Sequence, residues 1–222
     1  MIYTKDENNK DILYDEDHDY QTMMEWEKPY MEALIDTLLP TGDVLEVGFG
    51  LGYSATQIQK YKINSHTIIE NNPEVLKKLK EWAKLQPNKV IIIEGSWQDC
   101  LNNLGTFDSF FFDDAPTKEY RDFLDIRVYD FFYRVLKKHA NVNSKMSWYC
   151  YKELYWMTNS FINWSNKSFQ IQIPDNCDYI DRTRKEKSTM YMPLITFTYG
   201  IVEEVVPLAI DKDFNVININ SI

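Results

Sequence analysis

The stretch Asp43–Gln59, DVLEVGFGLGYSATQIQ, runs from apolar and acidic residues into glycines at every second position, Gly48, Gly50 and Gly52. DVLEVG has the pattern of a buried strand and YSATQIQKY that of a helix, so the glycines fall at the turn between them. In a doubly wound sheet, ligands sit beyond the carboxyl ends of the strands, where a strand passes into its helix. Residues without Cβ atoms allow a tight bend there and a close approach of ligand to backbone. The bend could hold a phosphate, a dinucleotide or a sulfonium nucleoside. Its spacing is GxGxG rather than GxGxxG, and it lacks the Lys-Ser/Thr of a phosphate loop.

Two acids narrow the choice. Glu46 stands two residues before the first glycine, where a carboxylate repels a pyrophosphate and suits the ammonium group of an amino acid. Glu70 ends the next strand, 24 residues further on, in place to accept the hydroxyl protons of a ribose. Acid, glycine bend and second acid match S-adenosyl-L-methionine better than NAD.

Outward from this unit, strands and helices alternate. HTIIE is a second strand and NPEVLKKLKEWAKLQ a helix with Pro73 in its first turn. KVIIIEG is a third strand, SWQDCLNNL a short helix and TFDSFFFDD a fourth strand. KEYRDFLDIRVYDFFYRVLKKH reads as largely helical and KMSWYCY as a fifth strand. The rhythm predicts an α/β fold, a mainly parallel sheet with helices on both faces. KSFQIQI and TMYMPLITFTYG read as a terminal antiparallel pair around the polar stretch PDNCDYIDRTRKEKS.

Upstream, Met23, Met24, Tyr30, Leu34, Ile35, Leu38 and Leu39 fall at helix-like spacing, interrupted by Pro29. A turn through Trp26 and a helix from Pro29 follow from that interruption. Residues 1–20 are polar and acidic and read as a flexible arm or lid. Residues 21–222 read as one domain, with 200–222 left unassigned.

The chain of 222 residues carries a net charge of −10, which disfavours phosphate backbones and so general nucleic-acid binding. The cysteines, Cys100, Cys150 and Cys177, are odd in number and form no CxxC pair, indicating neither zinc nor a disulfide framework. No apolar run approaches the roughly 20 residues of a membrane span, and the N-terminus lacks the order of a signal peptide. A cytoplasmic protein without a metal is expected. Monomer and homodimer both stay open.

Candidate site residues lie on three further stretches. In EGSWQDC, Trp97 could wall an adenine ring and Gln98 or Asp99 could accept its amino protons; a core tryptophan and a helix cap are the alternatives. In FFFDDAP, Asp113 and Asp114 follow the fourth strand, and burying adjacent carboxylates is costly unless a cation joins them. Glu27 lies between Trp26 and Tyr30, and two acids in an aromatic frame suit a guanidinium. A helix cap for the aspartates and a solvated face for Glu27 remain open on spacing alone.

MMEWEKPYMEAL, GDVLEVGFGLG, SHTIIENNPEV, EGSWQDC and FFFDDAP, in that order, resemble the guanidinoacetate N-methyltransferase family. They are also similar to its relatives, the fungal and plant protein arginine δ-N-methyltransferases. IPDNCDYI and MYMPLITF resemble the family's closing segments. The resemblance implies a class I methyltransferase (Rossmann-like) fold with a seven-stranded, mostly parallel sheet. It implies S-adenosyl-L-methionine as cofactor, with S-adenosyl-L-homocysteine as product. It places guanidino-binding carboxylates at Glu27 and Asp113, the ribose-binding acid at Glu70, adenine contacts at Trp97 and Gln98, and a methionine near the cofactor's sulfur at Met31.

Two positions depart from the family. Asp113-Asp114-Ala115-Pro116 stands where Asp-Thr-Tyr-Pro or similar is usual, and Gln98 stands where animal members have an acid. The expected activity is methyl transfer to the guanidino nitrogen of a small, guanidinoacetate-like molecule. Asp113 or Asp114 would take the proton. The alternatives are an enzyme acting on protein or free arginine, and an inactive S-adenosylmethionine-binding interaction module.

Overall fold

The computed structural model describes residues 1–17, 19–115, 124–151, 161–180, 188–199, 208–210 and 216–218. Three short strands come first, β1 (Ile2–Lys5), β2 (Asp11–Asp15) and β3 (Tyr20–Met24). A 3-10 turn, Glu25–Glu27, leads into α1 (Lys28–Leu38). The alternating part comprises β4 (Asp43–Val47), α2 (Tyr53–Ile58), β5 (Ser65–Glu70), α3 (Pro73–Ala83), β6 (Val90–Glu94) and α4 (Trp97–Cys100). It continues through β7 (Phe107–Phe112), α5 (Leu124–Lys138) and β8 (Ala140–Trp148). β9 (Ile162–Gln170) and β10 (Thr189–Phe197) follow, then two three-residue strands, β11 (Leu208–Ile210) and β12 (Val216–Asn218).

Seven strands form one sheet in the order β6-β5-β4-β7-β8-β10-β9. β6 through β8 pair in parallel, and β10 runs antiparallel to both β8 and β9. Chain order reverses at β4, between β5 and β7, which opens a crevice at the carboxyl ends of those strands. Helices cover both faces, as the alternating pattern predicts. Val44 and Ile68 pack with the apolar faces of α1, α2 and α3, whereas Leu45, Val47 and Phe112 pack with Trp97, Val128, Phe131 and Val135 on the other side.

Local signals set several boundaries. Pro29 lies in the first turn of α1, whose buried face is Tyr30, Met31, Leu34, Ile35 and Leu38. The Asn72 side chain accepts from the backbone N–H groups of Glu74 and Val75 and caps α3, with Pro73 next to it. Burying the five apolar α1 residues contributes about 2 kcal/mol each before entropy is counted.

Three regions differ from the sequence reading. A three-stranded antiparallel sheet runs through residues 2–24, over most of the 1–20 stretch expected as a flexible arm or lid. Met23 and Met24 belong to β3 rather than to a helix, and they share a core with Ile12 and Leu13. That core is nonlocal, so apolar spacing along one segment does not reveal it. β8 begins at Ala140, five residues before Lys145, because its polar start bonds to β7: Ser144 Oγ donates to the Phe107 carbonyl at 2.7 Å, and Asn141 Nδ2 to Asp108 at 3.2 Å. Within the unassigned segment 200–222, β11 and β12 pair with each other. Of the expected long helix, residues 118–123 lie outside the described residues, as does Pro116.

Candidate active site

A cleft of about 1110 Å³, open solvent at its mouth included, lies over the carboxyl ends of β4, β5 and β7. That volume suits a nucleoside-sized ligand together with a small second molecule. Among the candidates, Glu27, Gly48, Gly50, Glu70, Trp97, Asp113 and Asp114 line it. Glu46, Gly52, Gln98 and Met31 do not. The described lining residues include no lysine, arginine or histidine, so the cleft presents four acids and no basic side chain.

The glycine bend is shaped by its neighbours. Gly48 has φ +83°, and a Cβ there would stand 2.2 Å from the Asp113 carbonyl oxygen, so only glycine fits. Its N–H donates to the Ile69 carbonyl at 2.9 Å, which ties the bend to β5. The Tyr3 hydroxyl donates to the Gly50 carbonyl at 2.9 Å and fastens β1 over the same bend.

Glu70, buried, accepts backbone N–H groups from Phe49 at 3.0 Å, Asn71 at 2.9 Å and Asn72 at 2.8 Å. An ionised carboxylate has about four acceptor positions, so roughly one remains for a ligand hydroxyl. Burial pushes this carboxyl up, and the three donors oppose that shift.

Glu27 sits where the 3-10 turn enters α1, 2% exposed. Its Oε1 accepts from Met24 N–H at 2.7 Å and from the Tyr179 hydroxyl at 2.5 Å. Burial raises its pKa to about 7 against the pull of these donors. Asp113, at the end of β7, keeps some surface because it lines the cleft, yet burial holds its carboxyl well above the usual range. The charges of Glu27, Glu46, Asp114 and Glu70 push it further up. Two carboxyls poised to take or release a proton therefore share one wall of the cleft.

Three tyrosines, Tyr149, Tyr151 and Tyr179, complete this wall, and the sequence reading missed them. Their signal was the aromatic clustering in SWYCY and CDYI. Tyr30 stands edge-on to Tyr149 at 5.6 Å between centroids and ties the backbone between Tyr149 and Tyr151: its hydroxyl accepts from Cys150 N–H at 2.9 Å and donates to the Tyr191 carbonyl at 2.6 Å.

Four expected positions are placed elsewhere. Strand alternation puts Glu46 on the face of Val44, beneath α2, fully buried. There it accepts a hydrogen bond from Ser54 Oγ and lies 2.8 Å from His66 Nε2. Met31 belongs to the buried face of α1, and Met23 takes the place beside the glycines, its sulfur accepting from Leu51 N–H at 3.3 Å. Gly52 is covered by the Phe49 ring and begins α2. Gln98 is not among the residues that line the cleft, and its backbone carbonyl accepts from Arg134 at 3.4 Å. Asp99, exposed, accepts from Ser96 Oγ at 2.7 Å. Asp114 is held by Trp97 and Arg127.

The sheet order, the helices on both faces and the cleft at the reversal define a class I methyltransferase fold. A solved O-methyltransferase, TomG from Streptomyces achromogenes, has the same fold at TM-score 0.52, with 12% identity, 78% of this chain and 79% of that one covered. The family is narrower than the fold: the model for guanidinoacetate N-methyltransferase matches residues 18–158, and the chain belongs to that family. Relatives include protein arginine N-methyltransferase 2 of Candida glabrata, 39% identical over 56% of this chain and 32% of that protein. The Saccharomyces cerevisiae protein of the same name is 31% identical over 88% of this chain and 52% of its own length. The chain thus spans a third to about half the length of these relatives. Among the described residues, no helix is long and apolar enough to cross a membrane, and no group of His, Cys, Asp and Glu could hold a metal.

Proposed function

We propose that the chain binds S-adenosyl-L-methionine in this cleft and methylates a guanidino nitrogen of a small, guanidinoacetate-like molecule. One observation carries the reading: Glu27 and Asp113, both with raised carboxyl pKa values, face a cleft that also holds Gly48, Gly50 and Glu70. The cofactor fits the groups present. Gly48 and Gly50 line the cleft without side chains, Glu70 keeps an acceptor position, and Trp97 offers an aromatic wall. When bound, S-adenosylmethionine supplies a methyl group already activated by its sulfonium sulfur.

The chain's own residues do the rest. Glu27 and Asp113 bind the guanidinium, whose charge offsets the cost of ionising both in a buried place. Tyr179 and Met24 N–H fix one oxygen of Glu27, which orients the carboxylate. Holding the nucleophile in one pose supplies much of the acceleration. Asp113 takes the proton that the acceptor nitrogen gives up. β3, through Tyr20–Met23, and the segment with Tyr179 and Ile180 roof the cleft and exclude water. Gln21 joins the two roofs: its side chain donates to the Asn176 carbonyl at 2.7 Å and accepts from Asp178 N–H at 2.8 Å.

A second reading, an arginine of a protein or free arginine as acceptor, is favoured by the names of the relatives. The test is transfer of labelled methyl to guanidinoacetate, other small guanidines, free arginine and an arginine-rich protein. Turnover of one small guanidine, lost in Glu27→Gln and Asp113→Asn, supports the first reading. Label only on protein or free arginine supports the second. Cofactor binding without any acceptor leaves an interaction module and removes the catalytic roles of Glu27 and Asp113.

A further inference from the structure

Two aspartates follow β7, and the mechanism uses one. Asp114 has partners that Asp113 lacks. Its Oδ2 accepts from the indole N–H of Trp97 at 2.7 Å and forms an ion pair with Arg127 of α5. The Trp97 ring, 3% exposed, stands edge-on to Phe112 and Phe131, each 5.5 Å away between centroids. The Arg134 guanidinium lies 5.5 Å from the same ring.

An indole has one donor and no acceptor, so a buried tryptophan whose donor has found an acceptor is held by it. Here the partner is a carboxylate on the loop after β7, and it decides how the ring stands in the cleft. The charge of Asp114 still pushes the Asp113 and Glu70 carboxyls up. Arg127 pairs with it without being among the residues that line the cleft. The pair thus supplies Trp97 with an acceptor whose charge is itself partnered.

We propose that Asp114 and Arg127 form a positioning pair that fixes the indole of Trp97 as a wall of the cofactor cleft, while Asp113 alone takes the proton. The cofactor half of this inference rests on the reading above; the pair itself does not. Oδ2 of Asp114 is taken up by the arginine and the indole N–H, so losing this acid loosens the ring.

The test combines S-adenosylhomocysteine affinity by calorimetry, steady-state kinetics and the indole ¹H–¹⁵N resonance of Trp97 in the ligand-free protein, assigned with Trp97→Phe. Asp114→Ala weakens S-adenosylhomocysteine binding about tenfold and moves the Trp97 resonance upfield, as loss of a charged acceptor requires. The penalties of Asp114→Ala and Trp97→Phe do not add: the double variant binds within about threefold of the weaker single one, since both remove the same contact. Asp114→Asn keeps an oxygen acceptor but cannot serve as base. It recovers most of the affinity and retains at least roughly a third of kcat, with the pH profile in place.

A loss of about 100-fold in kcat for Asp114→Asn with affinity intact makes Asp114 the base and overturns the proposal. Additive penalties in the double variant, or an indole resonance indifferent to Asp114→Ala, overturn it as well. A wild-type chain that binds no S-adenosylhomocysteine overturns the cofactor reading instead. The ligand-free resonance then decides the pair by itself.

Discussion

Tyr179 and Glu27, 152 residues apart in the chain, are joined by a 2.5 Å hydrogen bond from the tyrosine hydroxyl to Glu27 Oε1. The bond ties the segment after β9 to the start of α1 and holds a buried carboxylate toward the cleft. Burial dominates the Glu27 pKa, and Tyr179 is the first group opposing it. Tyr179→Phe therefore raises that pKa above about 7. The expected result is an acid limb of kcat/KM displaced to higher pH, with kcat/KM near pH 7 down roughly tenfold. A pH–rate profile of the variant beside wild type checks it.

Stability should vary with pH through the same residue. A carboxyl raised from 4.5 unfolded to about 7 folded holds its proton longer in the folded state. Its contribution is complete below the unfolded value and lost as pH rises through the folded one. The loss amounts to about 3 kcal/mol above pH 7, at 1.36 kcal/mol for each pKa unit. Glu27→Gln removes that cost while keeping an oxygen for Tyr179 and Met24. It should unfold at higher denaturant than wild type near pH 8 and equally near pH 4, while losing roughly 100-fold or more in activity.

Binding of a guanidine should release protons. Glu27 and Asp113 hold theirs above the ordinary carboxylate range when no cation is present. A guanidinium beside them favours the ionised forms and lowers both values. Calorimetric titrations near pH 6.5 in buffers of different ionisation enthalpy should show net release of about one proton or more per guanidine. In Glu27→Gln the release should shrink.

The glycine bend is a further test of shape. At Gly48 an added methyl meets the Asp113 carbonyl at 2.2 Å in a backbone of positive φ, so Gly48→Ala must shift β7 against β4. A cost of roughly 2–4 kcal/mol and loss of cofactor binding are expected. Gly105→Ala is the control: nothing lies within 4 Å of its added methyl, and denaturation should place it close to wild type.

Glu46 should behave as a structural acid. It is fully buried, accepts from Ser54 and faces His66. Ser54→Ala removes one partner of a buried carboxylate, a loss of roughly 1–3 kcal/mol. Thermal unfolding reads this directly, and saturating cofactor should restore most of the activity.

The alternation of strands and helices and the place of the glycine bend between β4 and α2 were legible because they rest on local pattern, whereas the reversal of chain order at β4 is set by strand pairing. Period-2 and period-3.6 apolar spacing is written along each segment, and Pro29, Asn72 and Pro73 mark where helices start. Glu70 was legible for the same reason, since it ends such a segment; for Glu27, Trp97 and Asp113 spacing left other roles open, and only the resemblance to the family singled them out. Where the partner lay far along the chain, local pattern was silent. Ile2 and Tyr3 of β1 meet Tyr14 and Leu13 of β2 inside a stretch that is polar and acidic overall, and Met23 and Met24 bury against Ile12 and Leu13 across the β2–β3 pairing.

By itself, then, the sequence determined the fold class and the residues that could meet at the carboxyl edge of the sheet, because element type and order follow from local spacing. Tertiary structure decided which of them face the cleft and in what state. Glu46 went beneath α2 because one residue of register reverses a strand's face. Asp114 found Arg127 and Trp97, and Glu27 found Tyr179, through contacts that no window along the chain contains. Burial, which raises the Glu27 and Asp113 carboxyls, belongs to the packed molecule and is not written in any one segment.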